Sequence, residues 1–112
     1  MTPDTRVFEL RTYEAVPGKI DALLTRFRDH AAALFEKHGM TNIGFWVPTD
    51  DEGNRTETLV YIVAHDSREA AKKSWEGFWA DPEWAAARAD GEQVTASATT
   101  QFLDPTTFSA LH

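Results

Sequence analysis

Three side chains near the start of the chain have the types and spacing to do chemistry together. In V-F-E-L-R-T-Y, Val7 to Tyr13, a carboxylate (Glu9), a guanidinium (Arg11) and a phenol (Tyr13) occupy alternate positions. Alternate strand residues share a face, so the three would stand in one row, about 6–7 Å apart. Arg11 could hold a carboxylate or enolate oxygen. Glu9 could act as a general base if burial raised its pKa, and His65 is the other candidate for that role. Trp46, Tyr61 and His65 fall on neighbouring strands and would join the row if the faces align. Together the six would line a pocket for a small polar-aromatic ligand. The plain alternative is a Glu9–Arg11 ion pair that only satisfies itself.

Other groupings carry less. His30 and His38 could share a side of one helix, but neither has a carboxylate or histidine at the spacing that completes a metal set, so no metal site is expected. Trp75, Phe78, Trp79 and Trp84 read as core or lid packing before they read as a stacking platform. The glycines form no phosphate-binding fingerprint, the acidic run Asp50 to Glu52 reads as a solvated loop, and no cofactor is implied.

The elements that must position these residues follow from periodicity. T-L-V-Y-I-V-A-H, Thr58 to His65, is β-branched and aromatic, and apolar on both faces. The first strand places Phe8, Leu10 and Thr12 on one face, the expected core side, and Val7, Glu9, Arg11 and Tyr13 on the other. After Pro17 and Gly18, the run Ile20, Leu23, Leu24, Phe27, Ala31, Leu34, Phe35 has helical spacing, and Gly39 stops it. A strand over Asn42 to Pro48 and a polar hairpin at Asp50 to Arg55 come next. Asp66 reads as the cap of a second helix, Asp81-Pro82 starts a short helical turn, and Asp90 with Gly91 ends it. Val94 to Leu103 is a weaker last strand.

The order strand, helix, strand, strand, helix, strand predicts an α+β, ferredoxin-like βαββαβ plait with a four-stranded antiparallel sheet. Right-handed crossovers put both helices on one sheet face. The other face, expected to carry Val7, Tyr13, Trp46, Leu59, Tyr61 and Val63, would be covered by a second copy in a homodimer.

Composition bounds the rest. The 112 residues suit one domain, 1–112, and 42% hydrophobic with 26% charged content is that of a globule. A formal net charge of −7 argues against nucleic acid or anionic membrane as a partner. Without cysteine there is neither disulfide nor thiolate chemistry. M-T-P-D-T-R carries no signal-like apolar run and no segment approaches a membrane span, so a cytoplasmic location is expected.

F-E-L-R-T-Y, then P-G-K, then a helix containing L-L-x-x-F, resembles the start of a NIPSNAP domain. I-G-F-W, L-V-Y, D-P-E-W and the F-S-x-L tail extend the resemblance over nearly the whole chain, with Ala110 where the family usually has proline. The resemblance implies the dimeric α/β-barrel superfamily, and with it a sheet-on-sheet homodimer. It implies no defined activity. Three functions remain open: small-molecule binding inside the dimer barrel, cofactor-independent monooxygenase or isomerase chemistry there, and a non-catalytic interaction protein. Haem-degrading relatives fit less, since their pattern wants an Asn near the first strand and a His on the second helix.

Overall fold

In a computed structural model, which describes residues 6–89 and 93–112, the doubly apolar stretch forms strand β3 (Thr58–His65). With β1 (Val7–Ala15), β2 (Thr41–Trp46) and β4 (Thr95–Leu103) it makes one sheet in the order β2-β3-β1-β4, every neighbouring pair antiparallel. The strands and helices follow each other in the expected order.

Helix α1 (Ile20–Arg26) runs into a π-helical turn (Phe27–Ala31) and on into α2 (Ala32–Lys37). Sequence periodicity implies a single regular helix here; instead the Ala32 N–H reaches back five residues to the Phe27 carbonyl. The wider turn seats Phe27 against Tyr13, Phe35, Phe45 and Tyr61 at ring-centroid distances of 5.2 to 6.3 Å. Gly39 follows at φ +90, a left-handed conformation that suits glycine. Helix α3 (Arg68–Ala80) is capped by Ser67, not Asp66, through a 3.0 Å bond from the Ala70 N–H. Asp81 caps α4 (Pro82–Ala87) as expected, accepting from the Glu83 N–H. The stop expected at Asp90 and Gly91 lies outside the described residues, as does most of M-T-P-D-T-R.

The helices cover the sheet face opposite to the one expected. Tyr13, Leu59, Tyr61 and Val63 are buried in one core with Leu23, Phe27, Phe35 and Phe78. The face without this core carries Leu10, Thr12, Val60 and Ile62, all partly exposed, together with Phe8 and Ala64. The inversion has a physical cause. Glu9 and Arg11 look like solvent-side residues, yet a carboxylate met by enough donors can be buried. Both faces of β3 are apolar, so hydrophobicity alone could not choose between them.

Candidate functional site

Glu9 is the centre of the polar cluster, only 2% exposed. Its Oε2 accepts from Arg11 Nη1 at 2.8 Å and Thr100 Oγ1 at 2.6 Å. Its Oε1 accepts from Trp75 Nε1 at 2.7 Å and pairs with His65 Nε2 at 2.9 Å. These donors come from β1, β4, α3 and β3. Burial alone would push the Glu9 carboxyl up, but the bonds from His65, Thr100, Trp75 and Arg11 outweigh it and hold the pKa at about 2. The expectation of a base with raised pKa is therefore overturned: Glu9 is an anchored anion.

Arg11 is fixed on several sides. Beyond Glu9, its Nη2 donates to the Tyr13 hydroxyl at 3.1 Å, and its guanidinium lies 4.3 Å from the Trp75 ring centroid. Burial works against its charge, and Tyr61, Tyr13 and Glu9 together more than offset that, so its pKa is raised. The Tyr61 hydroxyl donates to that of Tyr13 at 3.2 Å, and burial keeps the Tyr61 phenol neutral well above the ordinary tyrosine range.

Five of the six expected residues thus come together: Glu9, Arg11, Tyr13, Tyr61 and His65. Trp46 does not. It pairs with Val60 on the face away from the helices, lies over Gly44 and is 51% exposed. Trp75 and Thr100 belong to the cluster and were not foreseen. Thr100 sits opposite Arg11 in the ladder, a position that only strand register reveals.

The cluster lies on the sheet face that the chain's own helices cover. Arg11 and Tyr13 instead form part of the wall of a cavity of about 650 Å³ between the sheet and the helices of the same chain. Its other walls include Phe27, Phe35, Phe78, Trp84, Arg26 and Arg88. Glu9 and His65 lie behind Arg11 and are not among the lining residues. Among the described residues no group of three or more His, Asp or Glu could hold a metal ion, and no helix is long and apolar enough to cross a membrane.

An α+β chain with an aromatic, arginine-bearing cavity under its helices defines the class. The NIPSNAP family model matches residues 8–110, and the chain belongs to that family. No curated protein matches it. Among solved structures, a NIPSNAP family protein of unknown function from Agrobacterium tumefaciens superposes with a TM-score of 0.84 at 22% identity, over 99% of this chain and 97% of that one. An uncharacterised NIPSNAP domain protein from Burkholderia xenovorans gives 0.75 at 25% identity, over 92% and 97%. A Chloroflexus aurantiacus protein provisionally assigned as an antibiotic biosynthesis monooxygenase gives 0.60 at 18% identity, over 96% and 99%.

Proposed function

We propose that this chain binds a small polar-aromatic molecule in the cavity between its own sheet and helices. The observation that carries this reading is a cavity of about 650 Å³ whose polar edge, Arg11 with Tyr13, is held in place by the Glu9 cluster. Volumes of about 300–1,000 Å³ with mostly apolar walls and a few fixed polar groups are typical of ligand sites. Catalysis, suggested by the C. aurantiacus neighbour, is the second reading. It is weakened because neither base named by the sequence, Glu9 or His65, lines the cavity.

A thermal-shift screen of aromatic, cyclic and aliphatic small molecules tests the proposal. A binder present at a hundred times its Kd should stabilise by about 2.7 kcal/mol, or about 10 °C for a domain of this size. Ala98→Trp, which fills the cavity from an exposed β4 position, should abolish the shift. A silent panel, or equal shifts in the filled variant, would defeat the reading.

We also propose that the chain is a homodimer, with a second copy packed on the sheet face away from the helices. Leu10, Val60 and Ile62 are partly exposed there, and Trp46 and Leu103 are exposed. Apolar faces of that kind are seldom left open in monomers. Two sheets packed about 10 Å apart would close the barrel that the family resemblance implies.

A further inference from the structure

Trp84 and Arg88 are four residues apart at the end of α4, a spacing that puts side chains on one helix face. Both line the cavity, and the Arg88 guanidinium lies 6.0 Å from the Trp84 ring centroid. Trp84 is only 7% exposed, and its indole N–H meets no acceptor among the described residues. Three of the chain's seven arginines line this cavity, against no Asp or Glu among the described lining residues. The excess is unexpected in a chain of net charge −7. Arg11 is not the source of the unmet positive charge, because Glu9 neutralises it at 2.8 Å. That leaves Arg88, at the α4 end of the cavity. The remaining wall is aromatic, with Phe78 packed 4.8 Å from Trp84 between ring centroids.

We propose that the ligand is an aromatic acid. Its flat ring lies among Phe27, Phe78 and Trp84, and its carboxylate pairs with Arg88. This rests on the small-molecule reading above and names the ligand class for that site. Charge-assisted hydrogen bonds of this kind are about twice as strong as neutral ones, so replacing the carboxylate by an uncharged amide should matter.

Calorimetric titration of the full chain with naphthoate and with naphthamide tests it. Naphthoate is expected to bind at least tenfold more tightly than naphthamide. Arg88→Gln, an exposed position whose change should not affect folding, should remove most of that preference. Equal affinity for the two probes, or an undiminished preference in Arg88→Gln, overturns the acid assignment. If naphthamide binding is then lost in Ala98→Trp, the cavity reading survives without it. Naphthoate binding that persists in Ala98→Trp lies outside the cavity and overturns both. No heat from either probe overturns the acid assignment, and the broader screen then decides the cavity.

Discussion

Glu9 is a charge that the interior tolerates only because its oxygens are fully engaged. Its folded pKa of about 2 lies below the ordinary value of 4.5, so the stability it contributes is complete above pH 4.5 and fades as pH falls toward 2. A shift of this size corresponds to about 3 kcal/mol. Glu9→Gln should flatten the acid limb of the stability curve. At neutral pH it should also cost about 3–5 kcal/mol, because it strips Arg11 of its buried counter-charge. Urea unfolding of both proteins across that pH range is the measurement. Parallel acid limbs would mean that the ionisation of Glu9 is not coupled to folding. The alternation E-x-R-x-Y announces a polar row in the sequence. What it cannot announce is how the row is satisfied: two of the four donors to Glu9, Trp75 and Thr100, lie 66 and 91 residues away.

At the level of elements, the wall of the cavity depends on how α4 is fastened. Lys37 Nζ at 2.9 Å and His38 Nε2 at 2.6 Å both meet Asp81, the residue that caps α4. Lys37, then His38, hold the Asp81 carboxyl well below the usual carboxylate range. Gly77 on α3 makes room for this clasp, since a Cβ there would lie 2.7 Å from His38 Nδ1. Alanine gains about 1 kcal/mol in helix propensity, but the overlap should cost about 1–3 kcal/mol and push His38 off Asp81. Gly77→Ala is therefore expected to destabilise the protein, and to be neutral or stabilising in a His38→Ala background. A double-mutant cycle by thermal unfolding reads the difference; additivity would show that His38 is not what Gly77 accommodates. Element order, Gly39 as a stop and Asp81-Pro82 as a start were all legible, because periodicity and local capping chemistry write them into neighbouring residues. The π-helical turn was not. Its cause is the seating of Phe27 among rings from β1, β2, β3 and α2, and no local pattern encodes that. The covered face of the sheet was not legible either, because Leu59, Tyr61 and Val63 are no more apolar than Val60, Ile62 and Ala64.

For the whole molecule, the orientation of β3 decides what a charge does on each side. Tyr61 is fully buried beneath the helices, so Tyr61→Asp should unfold the protomer itself. Ile62 points the other way and is partly exposed. Ile62→Asp should leave the protomer folded and, if a twin covers that face, convert a dimer into a monomer. Sedimentation with circular dichroism separates the outcomes; a wild-type protein already monomeric at micromolar concentration would remove the dimer.

The sheet order also carries a consequence for how the protein is made. β1 lies between β3 and β4, and the latter holds Thr100, one of the donors to Glu9. A ribosome releases β1, which ends at Ala15, about eighty residues before β4 begins at Thr95. Until synthesis reaches that final strand, the acid in the middle of the sheet waits for its full set of donors. The nascent chain therefore has little to gain by settling early, and the native arrangement should snap into place only once β4 has been made.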